Sequence, residues 1–215
     1  LEAFLTLEIL TFSLGPLQNN AYLLIDTESN QAIIVDPTFD SHHIVQTILK
    51  RGIRLEQIWL THAHFDHIAG AKLFSELSQP PLPIGIHPDD LELYRSGGGA
   101  GMFGINMPEM PEPSLFFEHG QRLKVGSEEI EVRHAPGHSR GHVIFYAPQA
   151  KAAIVGDLIF QNSVGRTDLP GASSTQLLKS IYTQVLTLPA ETRLLPGHGE
   201  ETTVQDEADN NPYLN

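Results

Sequence analysis

Short apolar runs rich in β-branched residues alternate along the chain with segments whose apolar positions recur every three or four residues. The runs at 4–10, 21–25, 32–35, 58–60, 130–132, 143–146, 152–155 and 193–195 predict strands. The periodic segments at 41–51, 68–77, 88–95 and 174–186 predict helices, the first stopped by Gly52 and the last capped by Ser173 or Ser174. Strands alternating with helices predict an α/β layered architecture. With 215 residues, one domain spanning 1–215 is expected. Two stretches, AYLLIDTESNQAIIVDP and HVIFYAPQAKAAIVGD, each pair two apolar strands across a polar turn and end in an aspartate. They read as a faint internal repeat, two similar halves of one fold.

Composition narrows the chemistry. Thirteen Lys and Arg against 26 Asp and Glu give a formal charge of -13, which repels a phosphate backbone, so nucleic acid is not an expected partner. Cysteine is absent, which removes disulfides and thiolate ligands and leaves nitrogen and oxygen to hold any metal. No apolar run approaches the ~20 residues of a membrane span. The start of the chain lacks the basic residues and the cleavage site of a signal peptide. A soluble, cytoplasmic protein with no membrane partner is expected; its oligomeric state is not encoded in these features. A formal G-x-G-x-x-G at Gly99, Gly101 and Gly104 has neither the preceding strand nor the following helix of a dinucleotide site, so 96–113 reads as a surface loop.

The densest chemistry lies in LTHAHFDHIAG, where His62, His64, Asp66 and His67 fall within six residues. Such an H-x-H-x-D-H cluster arises by chance in about one sequence of this length in a thousand. A strand leads into it, and period-two alternation aims His62 and His64 to one side. Asp66 stands where it can cap the next helix, with His67 in that helix's first turn. Two Pro-Gly-His turns follow later strands and present His138 and His198, and AAIVGD delivers Asp157 at a strand's end, where a lone carboxylate is costly without a proton or cation. His134 and His142 stand on strands, and His42, His43, His87 and His119 have no evident partners. These six read as ordinary polar residues.

H-x-H-x-D-H followed by P-G-H, G-D and P-G-H at increasing distances resembles the metallo-β-lactamase superfamily from Asn19 to His198. GRTD at 165–168 and the closing NNPYL resemble its compact glyoxalase II-like branch. The resemblance implies an α/β fold of four layers, an αββα sandwich, with two divalent metal ions at the edge between its sheets. Zinc is expected, with iron or manganese as alternatives. Carried over residue by residue, it implies that His62, His64 and His138 hold one metal, that Asp66, His67 and His198 hold the other, and that Asp157 bridges them. Asp66 is also implied to be catalytic, and Asp36 is implied as a carboxylate that orients a ligand imidazole.

Two cations ~3.5 to 4 Å apart can share a water and lower its pKa toward ~7, which turns it into a hydroxide aimed at an electrophile. No serine or cysteine nucleophile is then needed, in keeping with the missing cysteine and the missing G-x-S-x-G. The resemblance implies hydrolysis of a 2-hydroxyacyl thioester such as S-lactoylglutathione, a small-molecule substrate. Only 17 residues follow His198, where longer glutathione-hydrolysing members carry a thiol-binding helical domain, so broad acceptance of thioesters is expected. Arg166 is a candidate for a substrate carboxylate, or for fastening its loop to an acid. Two alternatives stand beside this reading: a mononuclear iron persulfide dioxygenase, which shares GRTD, and a non-catalytic metal-binding domain.

Overall fold

The computed structural model describes residues 6–214. Strand β1 (Leu7–Leu14) pairs antiparallel with β2 (Asn19–Asp26), which turns into β3 (Gln31–Val35). The strand expected at 4–10 is therefore displaced toward higher numbers; Phe4 and Leu5 lie outside the described residues. Helix α1 (His42–Arg51) ends at Gly52, whose left-handed φ of 62° supplies the stop expected there. Strand β4 (Arg54–Trp59) runs parallel to β3.

Where one helix over 68–77 was expected, two short ones form, α2 (Phe65–Ile68) and α3 (Ala71–Ser75). The break falls at Gly70, whose N–H donates to the Pro37 carbonyl at 2.8 Å and where a Cβ would meet the Thr38 carbonyl at 2.6 Å. Close approach to the 37–38 loop outweighs helical continuity here. Next come β5 (Ile84–Ile86), a 3-10 turn at Pro88–Asp90 leading into α4 (Leu91–Arg95), a second 3-10 turn at Ala100–Phe103, and β6 (Leu115–Phe116). The first sheet runs in the order β1-β2-β3-β4-β5-β6.

The second half builds β7 (Arg122–Val125), β8 (Glu128–His134), β9 (Val143–Ala147), β10 (Ala152–Gly156) and a small hairpin of β11 (Ile159–Phe160) and β12 (Ser163–Val164). Helix α5 (Ser174–Ser180), capped by Ser173 as expected, runs on through a π-helical turn at Ile181–Val185. Strands β13 (Arg193–Pro196) and β14 (Thr202–Thr203) and helix α6 (Val204–Asn210) complete the order. The second sheet is β14-β13-β10-β9-β8-β7.

Alternation along the central strands explains the layering. Ala21, Leu23 and Ile25 of β2 pack with Ile44 and Ile48 of α1, whereas Tyr22 and Leu24 face the other sheet. In β10, Ala152 and Ile154 face that same inter-sheet core, while Ala153 and Val155 pack with Leu177 and Ile181. Strands buried on both faces read as unbroken apolar runs, which is why the sequence marks them clearly. Trp59 centres the inter-sheet layer, 6.1 Å from Phe117 and 5.2 Å from Phe145 between ring centroids. The result is the αββα sandwich. The two repeat-like stretches are the β2–β3 and β9–β10 hairpins, one in each sheet; β3 and β10 each then take a parallel neighbour, β4 and β13. No helix among the described residues is long and apolar enough to cross a membrane.

Candidate metal centre

The chemistry collects at one end of the two sheets, where β3, β4, β8, β10 and β13 finish. Asp36 follows β3, His62, His64, Asp66 and His67 follow β4, His138 follows β8, Asp157 follows β10, and His198 follows β13. Two triads form: donor atoms of His62, His64 and His138 lie within 4.8 Å of one another, as do those of Asp66, His67 and His198. Asp157 lies between the triads, its Oδ1 3.3 Å from His67 Nε2 and its Oδ2 3.6 Å from both His138 Nε2 and His198 Nε2. The strands expected to carry these residues all end where they present them. Asp66 differs from expectation in one respect, since α2 begins at Phe65 with His64 as its N-cap and Asp66 caps nothing. Its Oδ2 accepts from Asn19 Nδ2 at 2.8 Å and lies 3.4 Å from His198 Nε2 instead.

Packing explains the glycine of the second Pro-Gly-His turn, and packing together with a positive φ explains that of the first. A Cβ at Gly197 would strike the Asp157 carboxylate and the His67 ring, and one at Gly137, where φ is 146°, would strike the backbone of Leu177.

Four of the imidazoles are held by a partner on Nδ1. His62 Nδ1 is 3.0 Å from the Thr61 hydroxyl, which itself donates to Asp36 Oδ2 at 2.6 Å. His67 Nδ1 is 3.0 Å from the same Asp36 Oδ2, His138 Nδ1 is 3.0 Å from the Arg166 carbonyl, and His198 Nδ1 is 3.0 Å from the Leu17 carbonyl. Each acceptor takes an Nδ1–H and turns Nε2 inward, where the neutral imidazole offers a lone pair. Fully buried His62 Nε2 has no hydrogen-bond partner, and His64 Nδ1 stands 2.8 Å from His138 Nε2, so inward lone pairs crowd together. Such a donor set suits divalent cations with a preference for nitrogen and oxygen.

Burial, then the neighbouring His67 and His138, pushes His62 well below the ordinary imidazole range; burial and His138 take His64 down to about 3. In the other triad, burial alone lowers His67 and His198, but Asp157 and Asp66 outweigh it and raise both. Burial likewise opposes ionisation of Asp66 and Asp157, yet the adjacent histidines, His67 first, hold both carboxyls below the usual range. Both carboxylates therefore remain ionised and able to meet positive charge.

Several contributors carry no motif. Asn19 reaches Asp66, while Asn20 Nδ2 and Tyr22 Oη donate to the Pro196 carbonyl and secure the His198 turn. Asp90, fully enclosed, accepts from Ala63 N, Ser139 Oγ and Gly141 N, tying the first histidine loop to the second. His142 is fully buried, stacks on His62 with centroids 5.2 Å apart, and accepts the Asp157 N–H at 3.2 Å. The apolar-strand context of Tyr22 and the HPDD turn around Asp90 were the only local signals, and neither names a partner. Arg166 turns its guanidinium to Asp168, with bonds of 2.7 and 2.8 Å, at the surface beside His138. The 96–113 loop folds over the first histidine loop: Gly98 O accepts from Phe65 N, and Phe103 meets Phe65 with centroids 5.4 Å apart.

The family model for the metallo-beta-lactamase superfamily matches residues 14–198. The chain is 40% identical over 204 residues to a Bacillus subtilis protein named probable metallo-hydrolase YqgX, covering 94% of each. It is 34% identical over 200 residues to the hydroxyacylglutathione hydrolase GloC of Haemophilus influenzae, covering 92% of this chain and 93% of that one. Among solved structures, TTHA1623 in a di-iron-bound form superposes with a TM-score of 0.85 at 42% identity, covering 95% of this chain and all of that one. The matched span contains all seven clustered histidines and aspartates, from His62 to His198, and the sandwich is the one this family builds: the chain belongs to the metallo-beta-lactamase superfamily.

Proposed function

We propose that this protein is a metal-dependent hydrolase of thioesters, with 2-hydroxyacyl thioesters such as S-lactoylglutathione as its substrate class. The observation that carries the reading is the set of four inward Nε2 atoms, each fixed by an Nδ1 partner and gathered with His64 Nδ1 and Asp66 into two triads around Asp157. His62, His64 and His138 would hold one divalent ion, Asp66, His67 and His198 the other, and Asp157 both. When bound, the ions supply Lewis acidity toward the acyl carbonyl and lower the pKa of a nucleophilic water. Zinc suits the donors, and the di-iron-bound form of TTHA1623 makes iron an equal candidate.

The protein's own groups divide the remaining work. Asp66, kept ionised, offers Oδ2 to the second ion, and Asp36 and Thr61 keep His67 and His62 in the required tautomer. His198 is the most open of the seven, its side chain 28% exposed against 12% or less for Asp66, His67, His138 and Asp157, so substrate approaches from that side. Exposed Leu17, whose carbonyl meets His198 Nδ1, and Phe160, with its ring 6.3 Å from the His198 ring, offer apolar surface beside it, and Arg166, once released from Asp168, offers a cation to an acyl or thiol-carrier carboxylate.

The test is metal content per chain on protein purified without added metal, followed by thioester hydrolysis and oxygen uptake on that same sample. Two metals with hydrolysis and no oxygen uptake support the proposal. One iron with persulfide-dependent oxygen uptake replaces it by a dioxygenase, and full metal loading with neither activity leaves a non-catalytic binding domain.

A further inference from the structure

Asn19 is the first residue of β2, bridged by its backbone to His198, and its side chain is fully buried in the middle of the second triad. Its Nδ2 is 2.8 Å from Asp66 Oδ2, 3.2 Å from His67 Nε2 and 3.3 Å from His198 Nε2, while its Oδ1 is buried without a partner. One amide atom thus stands at ligand-to-ligand spacing from all three members of the triad. With the amide nitrogen there, Asn19 can donate to at most two of the three neighbours and its buried Oδ1 stays without a partner, and with the amide oxygen there it meets the Asp66 carboxylate. A cation removes the conflict, because it takes the carboxylate oxygen and both Nε2 lone pairs. It then repels N–H and attracts a carbonyl. A half-turn about the terminal side-chain torsion exchanges the two amide atoms with no backbone movement, and that torsion is soft.

On the two-metal reading proposed above, we infer that Asn19 is a further ligand of the second metal, giving its amide oxygen to the ion that Asp66, His67 and His198 hold. The second site is then a four-residue site besides Asp157, with one donor from the first residue of β2 and one from the turn after β13. A neutral oxygen ligand adds affinity without adding charge, which matters beside two carboxylates already sharing that site.

Titration of the chelated protein with Co2+, followed by its visible absorption and by equilibrium dialysis, tests this on the whole chain. Wild type should take up two equivalents. Asn19→Ala should keep the first binding step and weaken the second about tenfold, at the low end of what lost ligand-supporting contacts cost, with a changed Co2+ spectrum for that step only. Asn19→Asp, which restores an oxygen of similar shape, should recover the second step. Two unchanged steps in Asn19→Ala overturn the inference and leave the two-metal reading intact, as does equal weakening of both steps, which marks Asn19 as a support of the fold. A wild type that binds a single Co2+ overturns the two-metal reading and this inference with it.

Discussion

His62 and His67 show how much a single tautomer decides. Through Thr61 and directly, Asp36 Oδ2 keeps both Nε2 lone pairs pointing inward, so one carboxylate serves both triads. On the proposed assignment, His198→Ala and His67→Ala should cut thioester turnover at least about a hundredfold while retaining one metal per chain. His138→Ala should abolish both turnover and the first metal. Near-normal turnover in His198→Ala with one metal bound would show that a single ion suffices. The charges also set a pH profile for the chelated protein. The folded pKa values of His62, His64 and His142 are lowered from 6.5, so the stability they contribute is present above that value and lost as pH falls through the folded values. Those of His67 and His198 are raised, so their contribution is complete below 6.5 and lost as pH rises through the folded values. Urea midpoints of the chelated protein should therefore peak near pH 6.5. A midpoint that climbs steadily from pH 5 to 8 would contradict these assignments.

At the level of elements, the two hairpins do equivalent jobs. The end of β3 supplies Asp36 and the end of β10 supplies Asp157, and the parallel neighbours β4 and β13 deliver every clustered histidine but His138, which follows β8. What joins the deliveries is the short turn Pro88–Asp90 that opens α4. Its Asp90 carboxylate takes Ala63 N at 2.9 Å from between His62 and His64, and Gly141 N at 2.6 Å and Ser139 Oγ at 2.7 Å from beside His138. Asp90→Ala strands three buried donors and should cost about 3 kcal/mol in urea unfolding, with a weakened first metal site. A loss under about 1 kcal/mol would mean that these loops hold their own positions. The split of α2 from α3 has the same origin: a contact at Gly70 with the 37–38 loop outweighs the helical preference of the segment.

For the whole molecule, the consequence is that the site and the sandwich share their support. Seven inward polar side chains close one end of the inter-sheet core, and burying them without a cation is expensive. Binding that exceeds its dissociation constant a hundredfold or more adds ~3 to 4 kcal/mol, which at ~2 to 4 °C per kcal/mol for a chain of this size makes about 10 °C in Tm. Verified chelation should lower Tm by roughly that amount and metal return should restore it; an unchanged melting curve would count against a centre built from these residues. The inter-sheet layer is the other anchor. Trp59→Ala, which empties the aromatic cluster with Phe117 and Phe145, should cost about 3 to 5 kcal/mol by denaturant unfolding, independently of metal.

The sequence by itself determined the buried strands, because burial on both faces forces unbroken apolar runs in β2, β3, β9 and β10, and it marked the clustered histidines and aspartates, because they fall in the H-x-H-x-D-H, P-G-H and G-D stretches that follow strands. It also carried the family resemblance. Very short or polar strands, such as β6, β7 and β14, were not legible, since pairing with a neighbour and not composition makes them strands. Nor were the partners. Asn19 meets Asp66 across 47 residues and Asp36 meets Thr61 across 25, and Asp90 reaches Ser139 across 49. Hydrogen bonds of that kind depend on where sheets end relative to one another, which no local pattern encodes. Only the packed sandwich decided that Asn19 lies within the second triad, that Arg166 lends its carbonyl to His138 while its guanidinium pairs with Asp168, and that the glycine of the last Pro-Gly-His turn is there for want of space.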